Sequence, residues 1–143
     1  MAVQAPIPVE FGLVFPHGAY VLDVSPVEDF DKPAGTDRQT RDKTSGVRLW
    51  AVRVMDPDPL ARKGQAEVSV KLAADVQPVP PETLAGTPFR PVIFDGLSIT
   101  PYVDERRSRP RVAYSLRASS MRSAGVGVEG GKLRRIAAEP ASA

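Results

Sequence analysis

Proline and glycine interrupt this chain so often that no long helix can form. Proline lacks a backbone N–H and clashes with the preceding helical turn, while glycine adds the entropy of a flexible backbone. Together they take 26 of 143 positions, 15 Pro and 11 Gly, which is high for a helical bundle and below the level of a wholly disordered chain. Short strands joined by turns fit that composition. A hydrophobic fraction of 42% fills one modest core, and 143 residues are too few for two full domains.

The apolar pattern predicts where those strands lie. Ala19 to Val24 follows the turn Pro16-His17-Gly18 and reads as a first strand. Ser25 to Gly46 is poor in apolar residues and reads as an exposed, mobile loop. Val47 to Val54 has apolar residues on both parities, as a central strand does, until Asp56-Pro57-Asp58-Pro59 stops the ladder. Ala66 to Leu72 alternates cleanly, with Val68, Val70 and Leu72 inward. Pro80, Pro81 and Gly86 bracket a single helical turn at Glu82 to Gly86. Pro88 to Phe94 and Leu97 to Tyr102 flank Asp95-Gly96, a hairpin signal, and Arg111 to Ala118 is the last strand, with Val112, Tyr114 and Leu116 inward. Five or six short strands without βαβ spacing predict an all-β fold, a small antiparallel OB-like barrel with one short helical turn. The expected organisation is an N-terminal arm over 1–8, the β domain over 9–121, and a disordered basic tail over 122–143 that lacks apolar periodicity.

Several classes of chemistry find no support in the residues. With no cysteine there is no thiolate nucleophile and no Cys-based metal site. The one histidine, His17, sits in a turn, and a triad needs a base beside its nucleophile. Gly125-Val126-Gly127 follows no strand, so it lacks the context of a phosphate loop. The paired carboxylates, Asp56 with Asp58, Glu28 with Asp29 and Asp31, and Asp104 with Glu105, fall in loops where acidic turn residues are common. The expectation is therefore a binding protein and not an enzyme, with no cofactor and no metal. Met1 to Pro8 lacks the basic and apolar blocks of an export signal, and no apolar run reaches about 18 residues, so the expected place is the cytoplasm.

Charge is where the sequence points to a partner. The net charge is only +2, yet Met1 to Val103 carries 10 basic and 13 acidic residues against 9 and 4 from Asp104 onward. On the strand parities, Arg53, Lys71, Arg111 and Arg117 point outward from strands whose other face is apolar. Such a row can follow a phosphate backbone, and aromatic rings beside it can stack bases. The rings that could serve are Trp50, Tyr102 and Tyr114; Trp50 and Tyr114 share the parity of core residues, so Tyr102, at a strand end after Pro101, is the better stacking candidate. Arg41, Lys43 and Arg48 flank the long first loop, which in OB-folds closes over a bound strand.

Three separated segments carry a resemblance. Phe15-Pro16-His17-Gly18-Ala19, then Arg41-Asp42-Lys43-Thr44 with Gly46 and Trp50 ahead of Arg53-Val54, then Phe89-Arg90-Pro91-Val92 with Phe94-Asp95-Gly96-Leu97 and Thr100-Pro101-Tyr102, resemble the small activators of replication, integration and excision carried by actinomycete integrative plasmids. The resemblance runs from about Val9 to Met121. It implies an accessory protein of a mobile element, with the element's replication initiator and its excision or integration proteins as partners. The extension Ser123 to Ala143, with Lys132, Arg134 and Arg135, departs from a short member of that group. The layout of strand, basic loop, Gly-x-x-x-Trp strand and late Phe-x-Gly-Leu is also similar to small phage-type single-strand-binding OB proteins. Single-stranded DNA is thus the expected ligand, with a protein-interaction adapter or a transcriptional regulator as the alternative. No helix-turn-helix is visible for duplex reading.

Overall fold

The computed structural model of the chain describes residues 1–61, 66–106 and 108–124, together with the backbone of 126–129 and 132–135. A two-residue strand, β1 (Ile7–Pro8), and a single helical turn, α1 (Phe11–Val14), come first. Three strands then form an antiparallel meander: β2 (Ala19–Pro26), β3 (Leu49–Met55) and β4 (Glu67–Ala73). After a Pro-rich connection come β5 (Pro91–Asp95), β6 (Ser98–Asp104), β7 (Arg111–Ala118) and β8 (Ser120–Ser123).

These eight strands make one sheet in the order β1-β6-β7-β4-β3-β2-β5-β8. Strands β5 and β6 are consecutive in the chain, with only Gly96 and Leu97 between them, yet four other strands separate them in the sheet. The sheet must curl until its two ends meet at that corner. The result is an all-β half-barrel of eight strands, more than the five or six expected.

The corner corrects the expected hairpin, because β5 pairs with β2 and β8, and β6 with β1 and β7. Gly96 has φ +62° there, and a Cβ on it would overlap the Ser119 hydroxyl. Ser119 is the one-residue link by which β7 crosses to β8, and its N–H and hydroxyl both donate to the Asp95 carbonyl at 2.9 Å. Two crossing links in one place leave room only for glycine. The barrel is also not wholly antiparallel, since β4 and β7 pair in parallel from Val70↔Leu116 to Leu72↔Ala118.

Register explains the core. Val24, Val52, Val70, Leu116, Ile99 and Ile7 lie opposite one another in turn across six strands, forming an inward row. Val52, Val54 and Val70 are fully buried, each contributing about 1.5–3 kcal/mol by leaving water. Phe11 and Phe15, at the ends of α1, pack on Phe94 with ring centroids 6.3 and 6.4 Å away. Trp50 is buried as its parity indicates, its indole N–H donating to the Ala74 carbonyl at 2.9 Å.

The helical turn expected at Glu82 to Gly86 does not form. The Leu84 N–H donates to the Phe89 carbonyl at 2.7 Å, closing a loop; one helical turn between proline and glycine offers too few bonds to compete. The single helical turn among the described residues is α1 instead. The long loop after β2 is exposed over much of its length but is tied down, since it folds back through the bridges Glu28↔Gln39 and Arg41↔Arg48. Gln39 is buried inside it and donates to the Leu49 carbonyl at 2.8 Å.

Toward the C-terminus, β8 pairs Val92 with Ser123, two residues into the segment expected as tail. Beyond it, β9 (Val126–Glu129) and β10 (Lys132–Arg135) form a separate antiparallel hairpin. The rest of that segment lies outside the described residues.

Candidate nucleic-acid interface

The outer face of the sheet is set by the same register as the core. One residue along from the inward row, Ser25, Ala51, Lys71, Arg117 and Ser98 lie opposite one another. Lys71 and Arg117 are therefore direct neighbours. Arg53 stands two residues from Ala51 on the same face, so the structure brings three of the four outward cations together. Arg111 is six residues from Arg117 along β7, roughly 20 Å away at the rise of a strand.

Those cations are not equally available. Arg53 donates to Asp23 and to Glu67 Oε2, the latter at 3.1 Å; hydrogen bonding and charge from Asp23, with Glu67 adding to it, push its pKa up. Arg117 is held at 3.1 Å by Asp42, which reaches over from the long loop. Asp42 takes hydrogen bonds from the Ser45 hydroxyl and the Thr44 N–H as well, and these, with Arg117, hold its carboxyl below the ordinary range. Lys71 is exposed and is the one outer cation of the three without a carboxylate against it among the described residues. An arginine already matched by a carboxylate carries that negative charge toward any phosphate it meets, so its net attraction is small.

The loop residues divide in the same way. Arg41 and Arg48 both face Asp37, at 3.5 and 2.8 Å, and Asp37 is held below the usual range first by the Gln39 N–H and then by these arginines. Arg48 also donates to Gln39. They close the base of the loop. Lys43 is exposed beyond them.

The second candidate region is a ribbon. Strands β6 and β7 pair from Ser98↔Arg117 to Asp104↔Arg111, but β4 accompanies β7 only from Leu116 onward. The outer half of the pair therefore projects from the sheet. Its turn carries Arg106 and Arg109 and ends on Arg111, with Arg107 between them in the sequence. Asp104 accepts from the Arg106 N–H and its guanidinium, and these, with the charge of Arg111 nearby, lower its pKa; Arg106 is raised in return by Asp104 and then by Tyr102.

Alternation sorts the ribbon into two faces. Tyr102, Ala113, Asp104 and Arg111 share the outer one, with Tyr102 exposed as expected. On the other face Leu116 and Ile99 are in the barrel, while Pro101, Val103, Val112 and Tyr114 extend the same stripe into solvent. Val112 and Tyr114 were expected inward. They keep that parity but are 60% and 61% exposed, because the strand outruns the barrel. The arginines at 106 and 109 are thus candidate contacts that strand-by-strand reading passed over, and Tyr114, weighed there as core, is exposed enough to be one. The run Arg106-Arg107-Ser108-Arg109-Pro110-Arg111 was a visible signal for the arginines; nothing in β7 alone marks where its inward face leaves the core.

Features of other chemistry are ordinary turns. Asp56 and Asp58 cap backbone N–H groups two residues on, at 3.0 and 2.9 Å. His17 is exposed, 3.7 Å from Asp58. Among the described residues no three His, Asp or Glu side chains converge to hold a metal ion, and no helix is long and apolar enough to cross a membrane. No family model, no curated protein and no solved structure matches the chain.

Proposed function

We propose that this chain is a non-catalytic accessory factor that acts in the cytoplasm on the replication, integration and excision of an integrative plasmid, by binding single-stranded DNA on an OB-like barrel. The mobile-element part rests on the sequence resemblance over Val9 to Met121. The OB-like part is supported by topology: an antiparallel meander of β2, β3 and β4, a long loop between its first two strands, and a later strand, β7, parallel to its third, β4. In that architecture the first long loop and the loop between the last two strands flank the nucleic-acid face. The corresponding segments here are 27–48 and the β6–β7 turn over 105–110, with β8 following as an added strand.

The observation that carries the ligand is the ribbon turn, where arginines crowd beside exposed Tyr102 and Tyr114. A cationic groove with aromatic platforms binds single strands without sequence preference, because every base offers a π-face. The alternative reading, a protein-interaction adapter or regulator contacting the element's replication initiator and excision or integration proteins, draws on a different observation: the arginines of the outer face are already matched by Asp23, Glu67 and Asp42.

Fluorescent oligonucleotides, single-stranded and duplex, titrated at two salt concentrations separate the two. Single-strand binding predicts tighter capture of the unpaired strand and a loss of affinity as salt rises, since counterions are released on binding. No affinity for either oligonucleotide at low salt would remove the single-strand mechanism and leave the adapter.

A further inference from the structure

We infer that the solvent-exposed extension of the core stripe on the ribbon, centred on Tyr114 with Pro101, Val103 and Val112, is a stacking site for unpaired nucleobases. The inference rests on the single-strand reading above and locates it on a face of the ribbon that the barrel interior, not the outer sheet face, continues into. Pro101 lies directly opposite Tyr114, and Val103 opposite Val112, so the four side chains form one flat apolar surface two strands wide.

A soluble protein does not hold a phenol ring and three aliphatic side chains together in water without cost. Tyr114 and Val112 also line an open groove of about 1500 Å³ whose walls include Val9, Leu13, Val14 and Ile99. Leu13 is 74% exposed. The lining of the groove therefore joins apolar residues of the α1 segment to the ribbon stripe.

Charge selects the occupant. The stripe ends at the arginine turn, and Lys71, Arg106, Arg111 and Arg117 line the same groove with Asp56, Glu67 and Asp104; Arg106 is matched by Asp104, so Arg111, at the end of the stripe, is the cation that draws a polyanion to the place where a ring can take its bases. The stripe is four residues, whereas a stable protein interface engages about 20–30 residues a side. Stacking on one aromatic ring needs no more than this. Duplex DNA keeps its bases stacked on each other, so the site discriminates for unpaired strands.

Tyr114→Trp provides the direct probe, because the only native tryptophan, Trp50, is buried and gives a constant background. Titration with oligo(dT) of about 20 nucleotides should quench the new emission, and a duplex of equal length should not. Tyr114→Ala should weaken oligo(dT) binding about tenfold with an unchanged salt slope and an unchanged melting temperature. Wild-type binding of oligo(dT) with an unquenched Tyr114→Trp and an unaffected Tyr114→Ala would overturn this inference alone. Failure of the wild-type protein to bind oligo(dT) at all would overturn the single-strand reading with it. Loss of excision activity in cells by Tyr114→Ala, with oligo(dT) binding intact, would assign the stripe to a protein partner and overturn the stacking site.

Discussion

On the outer face of the sheet, Arg53, Lys71 and Arg117 lie among Asp23, Glu67 and Asp42, whereas the sequence from Asp104 to Arg111 holds four arginines and two acids. Strand parity points to the first region, because its cations alternate with a buried face. Ion pairing points to the second. A count of outward cations overstates attraction wherever tertiary contacts bring a carboxylate from a distant segment, as Asp42 is brought to Arg117 across 75 positions of sequence. The ribbon is neutralised only in part: Asp104 holds Arg106 at 3.2 Å, while Arg109 and Arg111 are in no ion pair among the described residues, the outer half having no neighbouring strand on the β4 side.

The largest effect expected from this difference is on the ribbon. Replacing Arg106, Arg109 and Arg111 with Gln should lower affinity for single strands at low salt about tenfold and flatten the log-affinity against log-salt slope by about 1.4, at roughly 0.7 for each of Arg109 and Arg111, since Arg106 is already matched by Asp104. The fold should be intact by melting temperature, since all three are exposed. An unchanged slope would break the comparison at its stronger side.

The matching change on the sheet is Arg53→Gln, Lys71→Gln and Arg117→Gln together. Only Lys71 lacks a carboxylate, so the slope should flatten by about 0.7 and affinity should fall severalfold. A loss equal to that of the ribbon variant would show that Asp23, Glu67 and Asp42 move aside for the ligand, and the outer face would then be the main contact. Both variants should be read against the same oligonucleotide and the same pair of salt concentrations.

Sequence alone was a sound guide where local pattern and tertiary burial coincide. The alternation at Val68, Val70 and Leu72 and the run from Ala19 place strands that the structure contains, and Trp50 keeps the parity of the core. It failed where long-range pairing decides. Asp95-Gly96 has the chemistry of a hairpin turn, yet the strands on either side bond to different partners, and no local signal marks the crossing of Ser119. The two-residue β1 and four-residue β8 are too short for periodicity to register; they exist because β6 and β5 offer edges to pair with. Of the site, the outward positions of Arg53, Lys71, Arg111 and Arg117 were legible from alternation, while the carboxylate partners of Arg53 and Arg117 lie 14 to 75 residues away and were not. Tyr114 was assigned to the core because a strand's pattern does not say how much of it the barrel covers.

The smallest effect concerns Asp42, whose carboxylate occupies on Arg117 the place a phosphate would take. Asp42→Asn should raise single-strand affinity two- to threefold at pH 7, because it frees a cation beside Lys71 and removes one repelling charge. The change also carries a pH signature. Hydrogen bonds from Ser45 and Thr44, together with Arg117, hold the folded pKa of Asp42 below its unfolded value of about 3.9. The stabilisation it supplies is therefore present above that value and is lost as pH falls through the lower folded pKa. Wild type should melt slightly higher than Asp42→Asn at pH 7, by little because its partner Arg117 stands open to solvent screening, and the two melting temperatures should converge as the pH falls below the folded pKa. A gap that persists or widens in acid would mean that the loop is held to Arg117 by something other than the charge of Asp42, and a binding affinity unchanged at pH 7 would mean that Arg117 stays out of the phosphate's reach even when freed.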